Sequence, residues 1–327
     1  MEAMTPRFSI LIIGFRSLRF LPKLFASLEA SGGPSREILF LDNDSPEPEA
    51  EWIRDNVRDS SVRVLESAEN LFFGGGMNYL AREARGEFLL LLNPDTFVDP
   101  DWLDVLDAYL KETGFEAAQL DLREPNGPRL LGYNLDRMGM NREVRASDLP
   151  RSGRIFTGSG AAFVFRRDIY ADLGGLDENF RMYFEDLDLC WRANLFGYRM
   201  GFAAGAVVHH VGGGSSRRKF FPWVLFRNIR NRGLCFVKNA GPWLLLQFLF
   251  LNFLLRLARL PVNMLTGRFG EACAEVAAVA SFFWMLPSAL ARRARIQRRR
   301  RMRDAELLAL GFITRDMKYL RFPGSAK

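Results

Sequence analysis

The chain has 327 residues, of which 48% are hydrophobic, enough to bury a substantial core in one or two domains. Its net charge of +7 is unevenly spread: residues 1–214 carry 23 Lys+Arg against 33 Asp+Glu, and residues 215–327 carry 22 against 5. The three cysteines are too scattered for a disulfide framework or a zinc site, so a reducing compartment is expected. With no charged-then-apolar leader at the start, the front half is expected to stay in the cytoplasm.

Along the chain, Phe8 to Gly14 is a short continuous apolar run, the pattern of a strand buried on both faces of a parallel sheet. Residues 17–30 follow with Leu18, Leu21, Leu24, Phe25 and Leu28 at helical spacing. Glu37 to Asp42 reads as a second buried strand closed by the turn-rich Asn43-Asp44-Ser45-Pro46, and Val62 to Leu65 as a weaker third. Gly74-Gly75-Gly76 then leads into a helical stretch over Met77–Ala84, and Glu87 to Leu92 is a fourth strand. This alternation predicts a doubly wound α/β sheet, in which ligands bind beyond the carboxyl ends of the strands. Asp42 and Asp95 both lie at such ends.

Residues 121–154 are polar, without clear periodicity, and are expected to form a long loop or edge excursion over the site. Strand signals resume at Ala161–Phe165 and Ala206–Val208. Between them, Glu185-Asp186-Leu187-Asp188 crowds three carboxylates at the start of a helix that stops at Gly197. Such crowding needs a cation, a bound substrate or a held proton to offset the repulsion. Asp188 is placed to cap the helix or to pair with Arg192 at i+4. His209 and His210, the only histidines, are adjacent at a strand end, so alternation lets only one face the site.

After about residue 220 the texture changes. Trp243–Leu255 is almost wholly apolar but, at this length, too short to span a bilayer, which takes roughly 20 residues. Ala272–Leu290 is alanine-rich and interrupted by Glu275 and Pro287, and an arginine-dense run, 292–303, follows. We read two in-plane or re-entrant helices with a polybasic anchor. The apolar interleaving favours an anionic membrane over nucleic acid, for which no recognition motif is present.

The ordered succession Phe8–Gly14, Leu41-Asp42-Asn43-Asp44-Ser45, Asn70 to Asn78, Leu92-Asn93-Pro94-Asp95-Thr96, Gly174-Gly175-Leu176-Asp177, Tyr183 to Arg192 and Val207 to Gly213 resembles glycosyltransferase family 2, nearest the bacterial rhamnosyltransferase-like branch. The resemblance covers roughly residues 8–240. It implies a GT-A-like, mostly parallel sheet flanked by helices. A catalytic domain over 1–220 precedes a basic, apolar helical region over 221–327.

It also implies inverting, single-displacement transfer of a sugar from a nucleoside diphosphate donor to a lipid-linked or cell-envelope glycan acceptor. dTDP-rhamnose is the favoured donor, and the site would lie at the cytoplasmic face of the inner membrane. By the same resemblance Asp186 is the general base and Glu185 positions the acceptor. Asp42, Asn70, Gly74, Asn78 and Asp95 contact the donor. Asp95 and His210, with His209 as the alternative, hold Mg2+ or Mn2+. From position alone Asp42 serves equally well as a turn cap over Asn43–Ser45. The sequence departs from the family pattern after the first strand, where Gly14-Phe15-Arg16 stands in place of a Thr/Ser-Tyr-Asn type run. Phe15 can stack on a base there, and Arg16 can meet phosphate. A nucleotidyltransferase and a silent membrane scaffold are the competing readings.

Overall fold

A computed structural model describes residues 5–125, 129–211 and 222–314. In chain order the elements are β1 (Phe8–Gly14), α1 (Leu21–Ala30), β2 (Arg36–Asn43), α2 (Glu49–Asn56), β3 (Val62–Ser67), α3 (Phe72–Glu83), β4 (Phe88–Leu92), β5 (Thr96–Val98), α4 (Trp102–Thr113) and β6 (Ala117–Arg123). There follow β7 (Tyr133–Asp136), β8 (Asn141–Glu143), β9 (Ala162–Arg166), α5 (Arg167–Asp172), α6 (Glu185–Phe196), β10 (Met200–His210), α7 (Pro222–Asn239), α8 (Pro242–Leu265), α9 (Phe269–Arg299), α10 (Asp304–Ala309) and β11 (Ile313–Thr314).

Eight strands form one sheet in the order β3-β2-β1-β4-β9-β6-β10-β5. The pairs β1–β2, β2–β3, β1–β4 and β6–β10 are parallel, while β9 and β5 run against their neighbours. The chain winds outward from β1 through β2 to β3, then returns to β1's other side with β4. That reversal leaves a crevice at the carboxyl ends of β1 and β4.

Strand alternation divides the core cleanly. Phe8, Ile10 and Ile12 of β1 pack under α1 and α4, and Leu11 and Ile13 face α3 and α6 on the opposite side. Both faces are apolar because both are covered, which is why β1, β2 and β4 read as unbroken hydrophobic runs. The polar residue within β1, Ser9, donates to Glu37 at 2.6 Å and accepts from the Gly86 amide at 2.8 Å.

The glycine triplet departs from the sequence expectation. Helix α3 begins at Phe72, so Gly74, Gly75 and Gly76 lie inside it rather than in a loop before it. A Cβ on Gly76 would stand 2.8 Å from Ile13 Cδ1. Gly76 thus lets the helix approach the sheet closely.

The 121–154 excursion contains β7 and β8, an antiparallel pair extended in parallel by β11. Sequence reading sees no strands there because each is very short and polar. The partner β11 lies far along the chain, so no local signal marks it. The same C-terminal region feeds the main core: Leu234, Cys235 and Phe236 of α7, Ile296 of α9 and Leu307 of α10 are buried with α3 and α6.

Helix α8 is also longer than its apolar run implies. It continues through Arg256, Arg259 and Pro261 to 24 residues, and α9 reaches 31. Both are long and apolar enough to cross a membrane, correcting the expectation that the first falls short.

Candidate active site

At the carboxyl edge of the sheet lies a cavity of about 430 Å³, a size typical of small-molecule sites. Asn93, Asp95 and His210 line one wall, Glu185 and Asp186 the other, and Tyr133, Asn141, Phe73 and Asn228 contribute to its surround.

The first wall is built by strand ends. The turn after β4 is pinned by Asn93 N–H donating to Ala161 O (2.9 Å) and by Thr96 Oγ1 donating to Asn93 O (2.7 Å). Asp95 is held against the end of β10, where its carbonyl accepts from the Val211 amide (2.9 Å). His210 Nε2 lies 3.2 Å from Asp95 Oδ2, and its Nδ1 lies 3.5 Å from Glu124 Oε1. Burial works against charge on this imidazole, but Asp95 and Glu124 outweigh it and raise its proton affinity.

His209 points the other way. Its Nε2 is 2.8 Å from Asp99 Oδ1, its ring stacks on Phe97 at 4.5 Å, and it does not line the cavity. Of the two histidines, His210 is the one that lies beside Asp95. The Gly212–Ser215 segment used to align this pair lies outside the described residues, as does the boundary near 220.

The opposite wall rests on a strained loop. Arg181, Tyr183 and Phe184 all have positive φ, at 60°, 70° and 75°, conformations costly for residues with a Cβ. Asn231 of α7 holds them in place. Its Nδ2 donates to the carbonyls of Phe180 (3.0 Å), Met182 (2.8 Å) and Tyr183 (2.8 Å). The loop delivers Glu185 and Asp186 into the first turn of α6.

Asp186 Oδ2 accepts from the Gly160 amide (3.2 Å) and Oδ1 from the Leu187 amide (2.7 Å). Burial raises its proton affinity despite these bonds. Glu185 is raised further, well above the usual carboxylate range, first by burial and then by the charge of Asp186. Both carboxyls therefore take up a proton more readily than solvated ones. Tyr133, pushed up to about 12 by burial and then by Asp186, stays a neutral hydrogen-bond donor.

Asp188 belongs to the scaffold. It pairs with Arg192 Nε (2.9 Å) and Lys238 Nζ (2.8 Å) and accepts from Asn239 Nδ2 (2.8 Å). The three crowded carboxylates thus have two fates: one is neutralised by cations, and two line the cavity with no cation within 4 Å among the described residues.

The remaining predicted residues stand apart from this cavity. Asp42, opposite Gly14 in the β1–β2 ladder, accepts from the amides of Ser45 (2.9 Å) and Ala50 (3.3 Å), the turn-capping role open to it. Arg16 N–H donates to Ser45 Oγ (3.1 Å), so Phe15, Arg16 and Asp42 share the rim above β1 and β2, with Phe15 exposed. Asn70 Oδ1 accepts from Phe72 N (2.8 Å) and from Asn43 Nδ2 (3.2 Å) at the start of α3.

Two further predicted donor residues face elsewhere in the fold. Gly74 faces the 176–178 backbone, not the cavity. Asn78 is buried, accepting from Tyr170 Oη (2.7 Å) and Leu176 N (2.9 Å) while donating to Leu176 O and Glu178 Oε1 (both 2.9 Å). Every polar atom of that side chain is committed to the fold. Sequence reading missed Tyr133, Asn141, Glu124, Asn228 and Asn231, which come from short strands, a polar loop or a later helix and carry no motif.

The class that this fold and site define is a GT-A-like α/β protein with a polar, carboxylate-bearing cleft at the sheet's carboxyl edge. The same fold is seen in the crystal structure of S. aureus TarS 1-349 with UDP-GlcNAc (TM-score 0.57, 17% identity, covering 74% of this chain and 71% of that one). It is seen also in the mannosyltransferase PcManGT from Pyrobaculum calidifontis in complex with GDP-Man and Mn2+ (TM-score 0.54, 16% identity, 91% and 86%).

The profile of glycosyl transferase family 2 matches residues 9–174, just over half of the chain, which therefore belongs to that family. Among curated proteins it is similar to the O-antigen biosynthesis protein RfbC of Myxococcus xanthus, 27% identical over 223 residues, covering 63% of this chain and 17% of RfbC. It is similar as well to the N-acetylglucosaminyl-diphospho-decaprenol L-rhamnosyltransferase of Mycobacterium tuberculosis, 27% identical over 223 residues, covering 58% and 71%. The chain spans only about a sixth of RfbC and about a fifth of a second relative, protein y4gI of Sinorhizobium fredii.

Proposed function

We propose that this chain is an inverting glycosyltransferase that moves a sugar, rhamnose from dTDP-rhamnose first among the candidates, from a nucleoside diphosphate donor to a lipid-linked or cell-envelope glycan acceptor. One observation carries the proposal: Asp95 and His210 face Glu185 and Asp186 across a single cavity at the sheet's carboxyl edge. The rhamnosyl detail draws on the named activity of the mycobacterial relative.

In this reading Asp186 takes the proton from the acceptor hydroxyl as it attacks the anomeric carbon, and the nucleoside diphosphate leaves from the opposite side. Glu185, beside it on the same wall, positions the acceptor. Asp42, with Phe15 above it, reads the pyrimidine at the β1–β2 rim, and Asn70 supports that end of the donor.

Asp95 and His210 are a hard carboxylate and an imidazole, a donor set that suits Mg2+ or Mn2+. No cluster of three ligating side chains occurs among the described residues. The fit is to an ion that takes its other ligands from the donor diphosphate and water. His210 Nε2, 3.2 Å from Asp95 Oδ2 on the cavity wall, is the imidazole atom placed to share such an ion with that carboxylate. A bound ion would stabilise charge on the departing diphosphate.

The domain division at about 220 is retained as a functional one. Trp243, Leu246, Phe250, Phe253 and Leu257 of α8 are exposed at intervals of three and four residues, as are Phe269, Val276, Phe283 and Leu290 of α9 at intervals of seven. These stripes would seat the protein on the cytoplasmic face of the membrane. Arg292, Arg293, Arg299 and Arg300 are engaged with Asp177, the Val237 and Ala240 carbonyls, Asp172 and Asp304, so they also clamp α9 onto the protein.

The test is a panel of nucleotide sugars, dTDP-rhamnose first and UDP-hexoses after it, screened for protection against thermal unfolding with Mg2+ or Mn2+. A donor at 100 times its dissociation constant adds about 2.7 kcal/mol. Turnover should release a nucleoside diphosphate. Release of inorganic diphosphate would support a nucleotidyltransferase, and no turnover with any donor would support a scaffold.

A further inference from the structure

Beside the cavity, three arginines converge with no anionic partner. Arg227 Nη1 and Arg230 Nη2 each lie 3.5 Å from the same Phe180 carbonyl oxygen. Arg181 and Arg227 place their guanidinium carbons 5.2 and 5.6 Å from the centroid of one ring, Phe72. Arg230 is 7% exposed and donates from Nε to Asn231 Oδ1 (2.9 Å). No carboxylate lies within 4 Å of any of the three among the described residues, whereas buried Arg192 pairs with Asp188 and donates to the carbonyls of Leu173 and Gly175.

Gathering like charges in a half-buried place is costly unless something anionic completes it. Their proton affinities record that cost. Arg230 is pushed down to about 10 by burial, then by Arg227 and Arg181, and Arg227 is lowered by burial, then by Arg181. The nearest negative group, Glu185, acts on Arg227 through space and is itself a cavity residue that favours its neutral form. It cannot balance three cations.

The position selects the ligand. The triad sits on the α7 side of the strained loop, next to Asn228, Met182 and Tyr183 of the cavity lining, and so on the Glu185–Asp186 wall rather than the Asp95–His210 wall. Tyr183 stacks with the exposed Trp223 at the start of α7 (6.4 Å), and the apolar stripe of α8 follows in sequence. A molecule reaching this wall would therefore meet aromatic surface, guanidinium groups and the proposed base together.

We propose that Arg181, Arg227 and Arg230 form a binding site for the phosphate groups of the acceptor, making the acceptor a sugar carried on a lipid phosphate or diphosphate. Arginine suits this because its planar donors match phosphate oxygens bidentately. The inference rests on the acceptor-wall reading above and narrows the lipid-linked or free-glycan alternatives to the first. The same chemistry is offered by anionic headgroups and by the donor's own diphosphate, so the test separates all three.

Farnesyl diphosphate, farnesol and dTDP or UDP with Mn2+ are titrated into the wild-type protein and into Arg181→Gln/Arg227→Gln. These two positions are exposed or half-buried, and unfolding midpoints of both proteins verify the fold. Arg227→Lys serves as a milder variant should the double one fail to fold.

The wild type should bind farnesyl diphosphate and not farnesol, and the variant should weaken that binding by about tenfold or more. Nucleotide affinity and binding to phosphatidylglycerol-containing vesicles should stay within about twofold, both lying outside the triad. Unchanged farnesyl diphosphate affinity overturns the proposal. So does an equal loss of nucleotide affinity, which would move the triad to the donor, or a loss confined to vesicle binding, which would make it a headgroup site. Absence of nucleotide affinity in both proteins overturns the function proposed above and this assignment with it.

Discussion

The two walls of the cavity handle negative charge in opposite ways. On the strand-end wall Asp95 faces an imidazole whose proton affinity is raised, a pairing that suits exchange of a proton for a metal ion. On the helix wall no cation lies within 4 Å of Glu185 or Asp186 among the described residues, and burial raises both. The difference teaches how one cleft can be prepared for two tasks. A carboxylate beside an imidazole can share a cation with it, and one that is desolvated accepts a proton more readily than a solvated one. Asp188, two residues from Asp186 but locked to Arg192 and Lys238, shows that the distinction lies in surroundings rather than in residue type.

If the helix wall supplies the base, Asp186→Asn should lower the transfer rate by about 10²–10⁴-fold. Nucleotide affinity should remain, read by calorimetry beside nucleoside diphosphate release. Activity near wild type would erase the contrast between the walls.

The next largest effect is expected at Asn231, which touches neither wall but holds the loop that sets one of them. Asn231→Leu leaves the Met182 and Tyr183 carbonyls without this donor, while the Phe180 carbonyl keeps Arg227 and Arg230, at about 1–3 kcal/mol for each one stranded from water. Misplacing the base by about 1 Å costs roughly 10²-fold in rate. A lower unfolding midpoint together with reduced kcat is the expected pair of results, with donor affinity little changed.

Glu185→Gln sharpens the assignment within the pair, because glutamine imitates the protonated form. It should cost no more than about tenfold, below the loss expected for a base. In both proteins kcat/KM should fall as pH drops through the Asp186 pKa, which is raised, so this limb lies above the ordinary aspartate range. A limb in the ordinary range would mean that the base is well solvated.

The smallest effect is expected at His209. His209→Asn should leave the metal concentration for half-maximal activity within about twofold, since the side chain faces Asp99 and Phe97.

Much of this was legible in the chain. The apolar runs of β1, β2 and β4 gave away a doubly covered sheet, and Asp95, Glu185, Asp186 and His210 were each selected and are brought to one cavity. What could not be read has physical causes. The glycines of α3 look like a phosphate loop, but Gly76 serves helix–sheet approach, a difference visible only once Ile13 is set against it. Asn78 shares the motif's spacing yet points inward. Asn231 and the arginine triad act across about fifty residues of chain, through carbonyl oxygens that carry no sequence identity. The length of α8 was hidden by Arg256, Arg259 and Pro261, which break the apolar run without ending the helix.

The most direct measurement is calorimetric titration of the donor nucleotide, with and without Mn2+, into the wild type, Asp95→Asn and Asp186→Asn. Mn2+ should strengthen nucleotide binding in the wild type and in Asp186→Asn and do so weakly or not at all in Asp95→Asn. Metal-enhanced binding that survives at Asp95→Asn and vanishes at Asp186→Asn would contradict the division of labour between the two walls.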